Sequence, residues 1–264
     1  MAIPKTPGGE MPFLDHLEEL RWRIIYSLIA LMLGLAIGLY FSFKFNLIDV
    51  IQQPMLPYMG GRKLVITRPM DAFNIRIQIA FVIGLAFAAP VIGYQLWAFL
   101  SPALHKSEKK VVIPSLIAGA VLFLSGMALA WFLVLPITLQ FLNGLIGETF
   151  ETMYVASEYF SFATNLGLAF GVAFEVPLLL VALVGLGILS ASTLNKSRKY
   201  AVVVIWVVAA IVSPGDAVTA TVALAVPLYF LYEVSIVVSF FIERKRRKRK
   251  AIEAAAELSD TSGR

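Results

Sequence analysis

Glu175 is a carboxyl group inside an otherwise uncharged run, AFGVAFEVPLLL, at residues 169–180. A carboxyl group near the middle of a membrane span is energetically expensive, so residues of this kind commonly belong to functional sites. Pro177 beside it has no N–H and frees backbone carbonyls nearby. One interpretation is a proton, cation or transport site. The other is a structural hydrogen bond from a neighbouring helix, with Gln95 or Thr164 as the partner.

Glu19 and Glu108 lie in two charged segments that flank apolar runs. The segment FLDHLEELRWRI at residues 13–24 has its apolar side chains on one helical face, which predicts an amphipathic helix leading into a span. Glu108 lies among lysines in HKSEKK at residues 105–110. Two carboxylates at one membrane surface suit bidentate recognition of guanidinium groups. The alternative is a solvated face and loop ion pairs worth less than about 1 kcal/mol each.

Catalytic and metal-binding chemistry finds no support in the sequence. The turn SPGD at residues 213–216 superficially resembles an aspartyl motif, but no second aspartate lies within a span beside Asp216. Cysteine is absent, and the histidines, His16 and His105, are far apart in the sequence. Neither HLEEL nor any other segment matches a zinc-protease motif. We therefore predict that the chain is not an enzyme and holds no metal or cofactor.

Apolar runs define the elements that position these residues. Hydrophobic residues form 59% of the 264 positions and charged residues 15%, a balance that excludes an ordinary soluble domain. We predict an all-α polytopic membrane protein with six spans in one domain, residues 1–242, followed by a basic tail, residues 243–264. The predicted spans are 24–43, 73–99, 111–142, 160–189, 200–213 and 217–238.

The fifth predicted span holds about 14 apolar residues, which rise about 21 Å as a helix against a hydrocarbon core of about 30 Å. We therefore expect the last two helices to be short. Either the membrane is thin around them, or they form a re-entrant hairpin whose turn contains Asp216.

Basic residues in the short loops predict the orientation. Six crossings place four basic groups on one side: Lys5, Arg21 and Arg23; Lys106, Lys109 and Lys110; Lys196, Arg198 and Lys199; and the tail ERKRRKRK at 243–250. The loop at 143–159 has glutamates and no lysine or arginine, whereas the loop at 44–72 is less clearly external. We expect a multi-pass protein of the inner membrane with both termini in the cytoplasm.

Four segments, in this order and spacing, resemble the TatC family, the multispanning subunit of the twin-arginine protein translocase. They are HLEELRWRI at 16–24, APVIGYQLWAFLSPALHKSEKK at 89–110, AFGVAFEVPL at 169–178 and SPGDAVTATVALAVPLYFLYE at 213–233. The resemblance covers about residues 12–242. The basic tail and the stretch from 251 to 264 lie outside it, and we expect the tail to bind anionic lipids.

The resemblance implies a receptor for the signal peptides of folded proteins that are exported. Glu19, Arg21, Phe99 and Glu108 would form the cytoplasmic signal-peptide site, with the two glutamates as counter-ions for the paired arginines. Pro54, Glu175 and Asp216 would serve translocation or assembly, with Glu175 presented by a concave helical bundle. The implied partners are single-span proteins of the TatA and TatB kind, in a multimeric complex.

A proton-coupled secondary transporter that uses Glu175 is the alternative function. Many transporters of that class are built from inverted repeats, and no internal repeat is apparent here. Nucleic-acid binding is a weak interpretation because the net charge of +5 comes largely from the tail.

Overall fold

The computed structural model describes residues 13–100, 112–146, 152–212 and 219–262. Within these ranges the chain is helical, and its extended pairing is limited to an isolated bridge between Val65 and Val155. The predicted all-α fold class is therefore confirmed. The helices are α1 Phe13–Lys44, α2 Leu47–Gln52, a 3-10 helix Gln53–Tyr58, α3 Asp71–Leu100, α4 Val112–Leu129, a π-helical turn Ala130–Val134, α5 Leu135–Ile146, α6 Ala156–Leu186, α7 Ala191–Lys196, α8 Arg198–Val212 and α9 Thr219–Ser262.

Five stretches of the described chain are long and apolar enough to cross a membrane. They are α1, α3, the combined α4 and α5, α6 and α9. Helices suit this solvent because they satisfy their backbone hydrogen bonds internally. The shorter α8 has 15 residues and rises about 22 Å. The last helix differs from its predicted span, since α9 is 44 residues long and continues through the basic stretch.

Helices α1 and α3 pack side by side in antiparallel directions at glycines. A Cβ atom placed on Gly84 would lie 2.6 Å from the carbonyl carbon of Gly34, so the two backbones are in direct contact there. Small residues permit such close approach, which favours association of helices in lipid. The rest of α1 is largely exposed apolar surface, for example Met32 and Leu33. It follows that α3 is the main neighbour through which α1 is positioned.

The central core lies between α3, α5, α6 and α9. Its fully buried members include Ile79, Leu135, Phe160, Phe170 and Leu224. Beside this core is an apolar pocket of about 360 Å³, lined by residues of α2, α3, α4, the π-helical turn, α5 and α6. That turn ends shortly before Pro136, which has no N–H to continue the α-helical pattern.

The bundle has two ends. We call the end formed by residues 45–70 and 152–156 the cap end, and the end formed by the start of α1, the last turns of α3 and residues 187–199 the base end. At the cap end the Val65 N–H donates to the Tyr154 carbonyl at 2.9 Å, and the Tyr159 hydroxyl donates to the Ile51 carbonyl at 2.6 Å. These bonds tie the long loop before α3 to the start of α6.

Candidate functional site

Glu19 lies at the base end, on the face of α1 that meets α3. Its side chain is 21% exposed, and its Oε1 accepts a hydrogen bond from Arg23 Nη2 at 2.9 Å. Its second oxygen, Oε2, is buried and has no hydrogen-bond partner among the residues that the structure describes. A buried carboxylate oxygen without a partner is costly, because it has lost water and gained nothing in return. The arrangement therefore offers one strong, unused acceptor.

Arg23 links this carboxylate to the next helix. Its Nη1 donates to the Gln95 Oε1 of α3 at 3.1 Å while its Nη2 holds Glu19. Glutamate and arginine four residues apart lie on the same side of a helix, so α1 itself brings them together. Gln95 reaches them because α1 and α3 run antiparallel in close contact. The three side chains form one polar cluster, which we call the base cluster.

Phe99 lies near the base cluster. The register that sets Gly34 against Gly84 and Arg23 against Gln95 continues along the two helices and brings Phe99 opposite Glu19. Phe99 is half-buried in the last turn of α3.

The other two residues predicted for this site are not joined to the base cluster. Arg21 is exposed, and its position two residues after Glu19 turns it to a different side of α1. Glu108 lies outside the described residues. The convergence of the two predicted counter-ions, Glu19 and Glu108, stays a prediction.

Glu175 lies in α6 and faces α4. It is half-buried, and a Cβ atom placed on Gly119 would be 3.2 Å from its Oε2, so the glycine makes room for the carboxyl group. Gln95 accepts its hydrogen bond from Arg23, and the Thr164 hydroxyl donates to the Phe160 carbonyl at 2.6 Å. Neither of the partners proposed from the sequence bonds Glu175 in the structure. The hydrogen bonds that these two side chains do form are thus to Arg23 and to the Phe160 carbonyl.

Of the two remaining predicted residues, only Pro54 is described, and it lies far from the base end. Pro54 is half-buried at the start of the 3-10 helix at the cap end. A residue without a backbone N–H is tolerated there, because the first N–H groups of a helix have no partner within it. Asp216 lies outside the described residues. The structure thus places Glu19 and Phe99 at the same end of α1 and α3, and holds Glu175 and Pro54 elsewhere.

Sequence reasoning missed Arg23 and Gln95 as members of the site. The spacing of Glu19 and Arg23 is the signal that could have found the first. Gln95 gives no comparable signal, since its role depends on the helix register. As for metals, the described residues include no group of three or more potential ligands that could hold an ion.

A second polar group at the base end was also missed. Arg198 Nη2 lies 2.9 Å from Glu233 Oε2, and the Tyr229 hydroxyl donates to Glu233 Oε1 at 2.9 Å. Glu243 accepts the Ala191 N–H at 3.1 Å. These contacts fasten α7 and α8 to α9, so they hold the base end together on the side away from α1.

The comparison with known proteins agrees with this architecture. The chain matches the family described as Sec-independent protein translocase protein (TatC) over residues 15–227. Proteins named Sec-independent protein translocase protein TatC are similar along nearly the whole chain. The one from Desulforapulum autotrophicum is 37% identical over 94% of this chain and 91% of its own length, and the one from Escherichia coli (strain K12) is 35% identical over 90% and 92%.

Solved structures give the same result. A crystal structure described as the twin arginine translocase receptor TatC has a TM-score of 0.72 and 37% identity, covering 86% of this chain and 99% of that one. A second, of the same receptor in the detergent DDM, has a TM-score of 0.74 and 38% identity, covering 85% and 99%. The chain therefore belongs to the TatC family, and it is a multi-pass membrane component of the Sec-independent protein translocase with a transport role rather than an enzymatic one.

Proposed function

We propose that this chain is the signal-peptide receptor of the twin-arginine translocase and exports folded proteins across the inner membrane. The observation that carries the proposal is the Glu19 carboxylate, which is half-buried at the base end and has one buried oxygen that bonds no described residue. Such an oxygen is an acceptor for a charged donor, and guanidinium groups are the strongest such donors in proteins. The solved relative described as a receptor supports the same role.

Glu19 binds one arginine of the signal, and Glu108 binds the other. Arg21 and Phe99 complete the site, Arg21 at the charged surface and Phe99 as the apolar wall opposite Glu19. Two counter-ions suit the two adjacent guanidinium groups, since each charged hydrogen bond contributes about 1.5–3 kcal/mol. Glu175, Pro54 and Asp216 act after recognition, in translocation or in assembly with single-span partners of the TatA and TatB kind.

The orientation follows from the charges at the base end. Arg21, Lys196, Lys199, Arg244 and Lys245 all have exposed side chains there. Lysine and arginine accumulate on the cytoplasmic side of short loops. The base end therefore faces the cytoplasm, where signal peptides arrive, and both termini lie on that side.

Peptide binding tests the proposal. Membranes that contain the full chain and its single-span partners are titrated with a fluorescent signal peptide that has Arg-Arg, and with the same peptide carrying Lys-Lys. We expect the twin-arginine peptide to bind more tightly, and Glu19→Gln or Glu108→Ala to weaken it about 10- to 100-fold. Glu158→Gln, the same change at the cap end, is the control and should leave binding unaltered. Equal binding of the two peptides would contradict the arginine selectivity.

A further inference from the structure

The base cluster contains a cation of its own beside the carboxylate that is proposed to bind the signal. Arg23 Nη2 lies 2.9 Å from Glu19 Oε1, and Arg23 Nη1 is held by Gln95 at 3.1 Å. The Arg23 side chain is 27% exposed, so the contact is largely shielded from water. Glu19 therefore meets an incoming signal peptide with most of its charge already balanced.

Balanced charge affects the two kinds of basic side chain differently. A lysine ammonium is a compact, strongly hydrated point charge, and it needs Coulomb attraction to repay the loss of its water. An arginine guanidinium is less strongly hydrated and has five N–H groups in a fixed plane, so it gains directional hydrogen bonds even where the net charge is small. Beside Arg23, Glu19 Oε2, which bonds no residue in the described part of the chain, therefore favours a guanidinium over an ammonium group.

Gln95 makes this arrangement stable. Without a partner on α3, the long Arg23 side chain could turn away from Glu19 toward water and leave the carboxylate with its full charge. The bond from Nη1 to Gln95 Oε1 keeps the guanidinium in place on α3. Repulsion by a fixed charge is a common way in which a binding site rejects a wrong partner.

We propose that Arg23 is a specificity-determining residue of the signal-peptide site: held by Gln95, it offsets the charge of Glu19 and thereby discriminates against lysine in favour of arginine. The inference rests on the proposed function, because it concerns the same carboxylate. It adds that the selectivity depends on a cation of the receptor as well as on its anions.

The test compares the affinities of the twin-arginine and twin-lysine peptides for variants of the full chain in membranes with its partners. In Arg23→Gln, which removes the charge, we expect twin-lysine affinity to rise on the order of tenfold, the effect of one nearby unit charge in a partly screened site. Twin-arginine affinity should change much less, so the ratio of the two affinities falls. Arg23→Lys keeps the charge and should keep most of the ratio.

A matched control is Lys44→Gln, which removes one positive charge from the far end of the same helix. In this variant the ratio of twin-arginine to twin-lysine affinity should equal that of the unaltered chain. An Arg23→Gln variant that loses affinity for both peptides by the same factor would show a merely structural role and overturn the inference. Loss of the ratio in Arg23→Lys would also overturn it.

The two proposals fail in different ways. If the unaltered chain does not prefer the twin-arginine peptide, or if Glu19→Gln binds it normally, the proposed function fails and the inference fails with it. If both of these behave as expected and the ratio is unchanged in Arg23→Gln, only the inference about Arg23 is rejected.

Discussion

Gly38 of α1 and Ala80 of α3 meet so closely that a Cβ atom on Gly38 would overlap the Ala80 carbonyl group. One turn away, Gly34 and Gly84 make the same kind of contact. Because α1 packs mainly on α3, these glycines set both the spacing and the register of the pair. The same register brings Arg23 to Gln95 and Phe99 opposite Glu19, so the geometry of the base cluster depends on residues near the middle of the helices.

Gly38→Ala should therefore destabilise the protein. The added methyl group meets backbone, which cannot move aside as a flexible side chain would, and overpacking of this kind costs about 1–3 kcal/mol. Thermal unfolding in detergent measures the change. Gly144→Ala is the control, because a Cβ atom at Gly144 would have no described atom within 4 Å. If both variants unfold at the same temperature, the close contact is not important for stability.

The ion pair between Arg198 and Glu233 should contribute little to stability despite its short distance of 2.9 Å. The Arg198 side chain is 47% exposed, so water and salt screen the attraction. A double-mutant cycle with Arg198→Met and Glu233→Gln should give a coupling energy below about 1 kcal/mol. A value of several kcal/mol would show that the pair lies in a much drier environment.

Much of this fold follows from the apolar runs, while its helix ends do not. The sequence predicted an amphipathic segment at 13–24 leading into a span, and the structure has one continuous helix, α1. At the other end, the apolar run stops near Ile242, yet α9 continues to Ser262. Arginine, lysine, alanine and glutamate are all good helix formers, so a change of solvent does not require the helix to stop.

The site was predicted less completely for a related reason. Glu19 is recognisable from its neighbours in the chain, and its bond to Arg23 follows from helical spacing. Gln95 is linked to Glu19 through Arg23, and it reaches Arg23 only because of the register of α1 on α3. The close contact between Gly34 and Gly84 helps to set that register. Such tertiary pairing has no local signature in the sequence.

Glu175→Ala should leave signal-peptide binding intact and impair transport. Glu175 lies on α6 facing Gly119 of α4, away from the base cluster on α1 and α3. Export of a folded reporter with a twin-arginine signal measures transport, and peptide titration measures binding. Glu158→Ala, at the cap end of the same helix, is the control and should affect neither. Loss of peptide binding in a folded Glu175→Ala variant would contradict this division of roles.

Gly119→Ala should produce a milder form of the same defect. The added Cβ atom would lie 3.2 Å from Glu175 Oε2 and 3.1 Å from Leu178 Cδ2, so the carboxyl group must shift by a few tenths of an ångström. Because both contacted atoms end flexible side chains, the fold should tolerate the change. Gly144→Ala serves again as the control, and a Gly119→Ala variant with full transport would show that the position of the carboxyl group is not critical.

Cysteine labelling should show that Asp216 is accessible from outside the cell. Helix α9 has an apolar stretch long enough to cross the membrane, so we expect the residues that precede it to lie on the side opposite the base end. We expect α8, which rises about 22 Å, to cross where the membrane is thinned around it. The chain has no native cysteine, so Asp216→Cys provides a single label site.

In intact cells a membrane-impermeant maleimide should modify Asp216→Cys, whereas Lys199→Cys at the base end should react only after the membrane is opened. Protection of Asp216→Cys from outside would favour a re-entrant hairpin in place of two crossings.

The basic stretch of α9 should bind anionic lipids through only some of its cations. The Arg246 guanidinium lies against Gly187, where a Cβ atom would overlap it, and Arg247 Nη2 lies 2.6 Å from Glu243 Oε1. The exposed side chains of Arg244 and Lys245, by contrast, form no ion pair with any described residue. A basic residue beside an anionic membrane surface contributes about 1 kcal/mol, provided that its charge is not already engaged.

Two double variants, each of which removes two neighbouring positive charges, compare these two pairs of cations. Replacing Arg244 and Lys245 by glutamine should clearly lower the enrichment of anionic lipid around the protein, measured by native mass spectrometry after reconstitution in mixed phosphatidylglycerol and phosphatidylcholine. Replacing Arg246 and Arg247 by glutamine should lower it somewhat less, because Arg246 is half-buried against Gly187, which leaves mainly the 79% exposed Arg247 available to lipid. Equal losses in the two variants would mean that total charge alone attracts the lipid, and that the contacts with Gly187 and Glu243 do not decide which cations face it.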